Sequence, residues 1–241
     1  MLNNFLLQVT VGNTAVAETA DVAEAIVPEI KTLTIWELVS SGGIGGGIIM
    51  FTLLILSMIA VYIIVERFLA IKKASKEDVN FMNQIKDNIL DGKIDAAKSL
   101  CNANASPIAK MIEKGISRIG KPLNDIGTAV ENTAKIELNK LEKNLSTLAT
   151  ISGAAPMIGF LGTVIGMILV FHEMAAGGGG VDLKVLSNGI FTAMTTTVAG
   201  LIVGIIAFVG YNTLVAKVDK IVFVMEARTV EFLDILHEPA V

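Results

Sequence analysis

Residues 189–204 read GIFTAMTTTVAGLIVG, four threonines set in an otherwise greasy stretch. The charge-free run around them extends from about Val185 to Ala216. A helix crosses a bilayer with roughly 20 apolar residues at about 1.5 Å of rise each, so this run is long enough to span with tilt or to continue beyond the lipid. Two further runs meet the same test, Gly43 to Val65 and Leu145 to Phe171. Three such runs predict an all-α integral membrane protein with three transmembrane helices.

The composition agrees. Of 241 residues, 53% are hydrophobic and 17% charged, a balance typical of a small polytopic membrane protein. A formal net charge of −4 argues against nucleic-acid binding, which needs a basic surface to neutralise phosphates. Cys101 is the single cysteine and has no partner for an internal disulfide. His172 and His237 have no second ligand at metal-binding spacing, so neither a metal nor a cofactor is expected. No nucleophile and base pair stands out, which argues against an enzyme.

The runs divide the chain. Residues 1–42 form a leading segment, 43–65 the first span, 66–144 a polar segment, 145–171 the second span, 172–184 a loop, 185–216 the third span and 217–241 a tail. Breakers at Asp91-Gly92, Ser106-Pro107 and Lys121-Pro122 cut the polar segment into short helices. In the tail, Val218, Ile221, Val222, Met225, Thr229 and Phe232 make a helical stripe that continues the third span and packs on the polar domain.

Orientation follows from the Lys and Arg residues, which are retained in the cytoplasm. The polar segment holds fourteen, opening with Arg67, Lys72 and Lys73, while the leading segment has only Lys31 and the 172–184 loop only Lys184. The N-terminus is therefore expected outside, and the polar segment and C-terminus inside. Phe5 to Val11 followed by Thr14-Ala15-Val16-Ala17 imitates a signal sequence but lacks its basic start, so an uncleaved external segment is expected. Thr34-Ile35-Trp36-Glu37-Leu38 looks like an interfacial helix start, with Thr34 as N-cap and the tryptophan at headgroup depth.

Small residues recur through the second and third spans. Ala155, Gly159, Gly162, Thr163 and Gly166 share one helical face, and Ala193, Thr197, Gly200 and Gly204 share another, so other backbones can approach closely at both. Pro156 removes one backbone hydrogen bond within the second span. Beside the third-span stripe, Thr192 and Thr196 lie one above the other, with Thr195 toward a different side. Each hydroxyl can simply bond back to a carbonyl one turn earlier. Four in six positions point instead to a polar surface facing a shared central space in an oligomer, able to hold water or pass a proton. None of the three spans has an Asp, Glu, Lys, Arg or His in its central part. If protons pass, a partner must bring the titrating group.

These motifs, AAPMIGFLGTVIGM at 154–167, GIFTAMTTTVAGLIVGI at 189–205 with VGYN at 209–212, and ERFLAIKKA at 66–74, resemble the ExbB/TolQ/MotA family of proton-channel proteins, most closely its ExbB branch. The resemblance covers about Thr32 to the C-terminus. It implies a bacterial inner-membrane pentamer whose long helices extend into a cytoplasmic helical domain and surround single-span helices of an ExbD-like partner. The partner's aspartate carries the proton, and the work goes to a TonB-like protein that opens outer-membrane transporters. Thr163 and Thr197 match the family's pore-facing threonines, with Thr192 and Thr196 beside them. Thr192 stands where relatives usually carry a glutamate, and Ile206 replaces a familiar proline, which implies a straighter third helix. TolQ-like or gliding-type stators with other clients share this core. A non-conducting membrane scaffold would also account for the small stripes.

Overall fold

The first apolar run continues as helix past its last uncharged residue. In a computed structural model, which describes residues 43–75, 80–176 and 183–237, helix α1 covers Gly43–Ala74 and carries the Glu66-Arg67 pair and two lysines on its final turns. The expected interfacial helix at Thr34–Leu38, the rest of the leading segment and the glycine run at 177–180 lie outside the described residues. Ile49, Leu53, Ala60, Ile63, Arg67 and Ile71 are buried along one face of α1. Their spacings of three, four or seven make a single stripe, while Phe51, Met58 and Tyr62 on other faces are exposed.

The polar domain follows as four helices: α2 (Phe81–Leu90), α3 (Ile94–Ala103), α4 (Pro107–Ile116) and α5 (Leu123–Glu142). Each break has a local cause. Gly92 and Gly120 turn the chain with φ of 72° and 94°, values that carry a steric penalty for residues with a Cβ. The Ser106 hydroxyl accepts from the Ala109 N–H at 3.2 Å, and Pro107 occupies the first helical position, where its missing N–H costs nothing. Between α5 and the next helix, Asn144 takes φ of 65°, a conformation asparagine tolerates better than most residues.

Helix α6 (Leu145–Ala176) and helix α7 (Leu183–His237) complete the fold, the latter 55 residues without a break. At about 1.5 Å per residue α7 is roughly 80 Å long, more than twice the hydrocarbon thickness of a bilayer. Each of the stretches α1, α6 and α7 is long and apolar enough to cross a membrane. Beyond its apolar part, α7 becomes the spine of the polar domain: Val218, Ile221, Met225, Phe232 and Ile235 are buried there with Ile85, Ile112 and Val130. Phe232 fills the notch left by Gly115, where a Cβ would lie 2.8 Å from Val130 Cγ2 and 2.9 Å from Phe232 Cζ. One continuous core therefore runs from the apolar bundle into the domain.

Candidate functional site: the α6–α7 seam

Helices α6 and α7 approach backbone to backbone. A Cβ on Gly200 would lie 2.6 Å from Ala155 O and 2.9 Å from Gly159 Cα; one on Gly159 would lie 2.9 Å from Thr196 O. Further along, a Cβ on Gly166 would lie 2.9 Å from that of Ala193, and one on Gly204 would meet the ring of Pro156 and, at 3.2 Å, Ser152 O. The numbers of these partners rise on one helix as they fall on the other, so the pair is antiparallel with a fixed register. All eight residues expected to pack helices, Ala155, Pro156, Gly159, Gly162, Gly166, Ala193, Gly200 and Gly204, meet in this one seam within the chain. Their smallness permits the van der Waals contact that holds helices together where lipid is as apolar as the side chains.

The proline adds a local requirement. Pro156 lies three turns inside α6, which begins at Leu145. Lacking an N–H, it leaves Ser152 O without its usual donor, and its ring projects toward α7. Gly204 is the residue that receives the ring.

The carbonyl of Gly159 is the polar focus of the seam. Thr197 on α7 donates its hydroxyl proton across to Gly159 O at 3.0 Å. Thr196 donates to Ala193 O at 2.7 Å and also approaches Gly159 O at 3.4 Å. Thr163 stands four residues beyond Gly159 on α6, half-buried, and donates to Phe160 O at 2.6 Å. Thr195 bonds back to Phe191 O at 2.9 Å, the plain local arrangement.

The four threonines expected to form one lining thus divide. Thr197 reaches Gly159 O from α7, Thr163 stands one turn along α6 from Gly159, and both keep partial exposure. Thr196 does not share that surface, which corrects the expectation for it: only 2% exposed, it is enclosed because Gly159 and Gly162 let α7 come close enough to shut it in. Thr192, half-buried, borders α1, its methyl 3.5 Å from where a Cβ of Gly46 would be.

Helix α1 runs parallel to α7. Gly46 pairs with Thr192 near one end, and a Cβ on Gly210 would lie 2.5 Å from Ile64 Cδ1 further along. Beyond it the Lys217 ammonium sits 4.5 Å over the ring of Phe68. Here the structure gives charged residues roles that the sequence did not assign them. Arg67 is 6% exposed, pairs with Glu66 and donates from Nη1 to Lys140 O at 2.9 Å, in the last turn of α5. An arginine on a helix C-terminal carbonyl complements the partial negative charge there. On α5, Glu137 is 7% exposed and receives Lys110 Nζ from α4 at 3.0 Å, as well as Lys140. Burial works to raise the Glu137 pKa, but hydrogen bonds and charge from Lys140 and Lys110 outweigh it and hold the carboxyl below its ordinary value. Only a bias in spacing toward buried stripes could have exposed these groups, and a charged residue on such a stripe reads as solvated.

Comparison with known proteins meets this geometry. Residues 103–227 match the MotA/TolQ/ExbB proton channel family. The biopolymer transport protein ExbB of Helicobacter pylori is 40% identical over 79 residues, 33% of this chain and 54% of that protein. The ExbB of Aquifex aeolicus is 41% identical over 95 residues, 39% of this chain and 64% of that protein. The Tol-Pal system protein TolQ of Pseudomonas aeruginosa is 26% identical over 220 residues, 85% of this chain and 93% of that protein. The family match covers more than half the chain and contains the whole α6–α7 seam; this chain belongs to the MotA/TolQ/ExbB proton channel family.

Proposed function

We propose that this chain is a proton-channel subunit of a bacterial inner-membrane motor, with its N-terminus periplasmic and its polar domain cytoplasmic. Several copies, five by family resemblance, surround single-span helices of an ExbD-like partner. That partner's aspartate carries the proton, and the proton-motive force energises a TonB-like protein. The role is conduction and mechanical coupling rather than catalysis.

The observation that carries this reading is the arrangement at Gly159. The spans hold no acid of their own, and Thr163 and Thr197 both donate their hydroxyl protons to backbone carbonyls. A hydroxyl that has given its proton away offers lone pairs to the next neighbour. A protonated carboxyl can donate to such an oxygen, whereas a carboxylate has only lone pairs to set against it. The pair therefore favours passage of the neutral acid, and the charged form is held back until it is protonated from the outer side. Release to the inside restores the charge. One elementary charge moved across about 100 mV supplies roughly 2.3 kcal/mol to the cycle.

Valine is nearly isosteric with threonine and removes the hydroxyl. In vesicles containing the complex with its partner, Thr163→Val/Thr197→Val is expected to lower proton flux at least about tenfold, equivalent to roughly 1.4 kcal/mol of barrier. The matching serine pair is expected to conduct. Unchanged flux in the valine pair overturns the role given to these threonines. No flux in the native complex under a potential makes the chain a scaffold instead. A second client reading is a TolQ-like stator, favoured by the match to TolQ over 85% of this chain; co-purification followed by intact mass identifies the partner and counts the copies.

A further inference from the structure

Helices α5 and α6 meet at a break that their sequence does not demand. Residues 138–147 read LNKLEKNLST, with no proline or glycine and with leucine, lysine and glutamate, all good helix formers. Yet α5 stops at Glu142, and Asn144 takes the left-handed φ of 65°, which carries a steric penalty for a residue with a Cβ. In an uninterrupted helix the Lys140 carbonyl would accept from the Asn144 N–H. Here it accepts instead from Arg67 Nη1 at 2.9 Å, reaching over from α1. We propose that Arg67 is the latch of a two-state joint. On Lys140 O it holds α5 and α6 as separate helices; when α1 withdraws it, the stretch Leu123–Ala176 becomes one helix.

Three observations support two states. The first is where the backbone hydrogen bonds go. Asn144 O opens α6 by accepting from Leu148 N at 3.2 Å, so the N–H groups of Leu145, Ser146 and Thr147 have no acceptor within α6. A single helix would satisfy all three, and the Asn144 N–H as well. The second is the cost of the latch. Arg67 is 6% exposed, and its Nε is buried without a hydrogen-bond partner. A buried donor with no acceptor is unfavourable. The latched state thus carries two penalties that the single helix lacks, and the bond to Lys140 O offsets them. The third is register. Glu137, Leu141, Leu145, Leu148, Ile151 and Ala155 are buried on both sides of the joint at spacings of three or four. That is the period of one helix face, so an uninterrupted helix would turn the same residues inward. Beside the joint, a groove of about 460 Å³ bounded by Lys143, Asn144, Ser146, Tyr211 and Val215 gives the chain room to rearrange. Glu66, the ion-pair partner of Arg67, is on the same helix, so the latch travels with α1. Because α6 carries Gly159 and Thr163, the joint gives α1 a mechanical route to the α6–α7 seam.

Backbone hydrogen exchange of the full-length protein in nanodiscs, resolved to single amides, tests the joint. In the native chain the Leu145, Ser146 and Thr147 amides are expected to exchange at least about tenfold faster than the amides of α5 and α6 on either side. Arg67→Met keeps an apolar stem and removes the guanidinium. It is expected to slow the three amides at least about tenfold, as the single helix forms. Asn144→Ala reads the joint without disturbing the buried arginine: it penalises the left-handed turn and is expected to slow the same amides. In Arg67→Met/Asn144→Gly the glycine favours that turn, and fast exchange is expected to return. Unchanged exchange in either single variant overturns the inference. Faster exchange spread along both helices overturns it too, since Arg67 would then be a plain structural tie. Native amides as protected as their neighbours would show that there is no joint to latch.

Discussion

Gly200 and Gly153 both lie inside long helices, yet they answer to different constraints. A Cβ on Gly200 would meet main-chain atoms of α6 at 2.6 and 2.9 Å, and backbone cannot swing aside as a flexible side chain can. A Cβ on Gly153 would meet nothing within 4 Å. Gly200→Ala is therefore expected to destabilise by about 1–3 kcal/mol through overpacking. Gly153→Ala is expected to be neutral or to gain up to about 1 kcal/mol from better helix propensity. Thermal unfolding in detergent compares the two directly, and equal midpoints would remove the seam's claim to tight packing. The spacing of small residues made the face legible in the sequence. It could not say that the approaching backbone belongs to the same chain, because periodicity describes one helix and not its neighbour. Thr196 shows the cost of that silence: its place beside Thr192 and Thr197 on a wheel looked like lining, and only the closeness of Gly159 and Gly162 puts it inside.

Among the elements, the spans and the breaks of the polar domain were readable from charge and from Gly and Pro. The continuation of the third span into the tail was readable from the stripe Val218 to Phe232, whereas the extension of α1 past its charges was not. Glu66 and Arg67 mark where α1 leaves the apolar run, not where the helix stops, which is at Ala74, and α7 crosses Lys217, Asp219 and Lys220 without interruption. Charge reports the solvent beside a helix, whereas helix ends are set by caps and breakers. The ion pairs that join these elements were hidden for the same reason. Glu137 ties α4 to α5 through Lys110, and the neighbouring Lys140 carbonyl receives Arg67 from α1. Because the folded carboxyl is held below its ordinary pKa of 4.5, its contribution is full above that value and is lost as pH falls through the lower folded value. Glu137→Gln is expected to cost about 1 kcal/mol at neutral pH, where the amide leaves both lysines without a charge partner. The gap between variant and native midpoints should close as the carboxyl is protonated. A gap that stays constant on acidification would show that the ion pairs contribute nothing to folding.

For the whole molecule, direction is the property on which the proposed function turns. The parallel course of α1 and α7, with α6 running back, puts the polar domain and the final turns of α7 at the same end of the apolar bundle. Fourteen of the nineteen Lys and Arg residues belong to the 66–144 segment at that end. Lys and Arg near a span resist translocation, so this end is expected to remain cytoplasmic and the α6–α7 connection to face outward. Ala96 on α3 and Ala176 at the last turn of α6 are both exposed and stand at opposite ends. Cys101 is a quiet background for labelling, since burial, with a smaller effect from Glu113, pushes its thiol pKa up to about 12 and leaves little thiolate to react. With a membrane-impermeant maleimide, Ala176→Cys is expected to label in intact spheroplasts, whereas Ala96→Cys is expected to label only in inverted vesicles. The opposite pattern would reverse the chain in the membrane. Protons moving down the usual gradient would then reach the threonine pair from the side of the polar domain, and the cycle of outer protonation and inner release would fail.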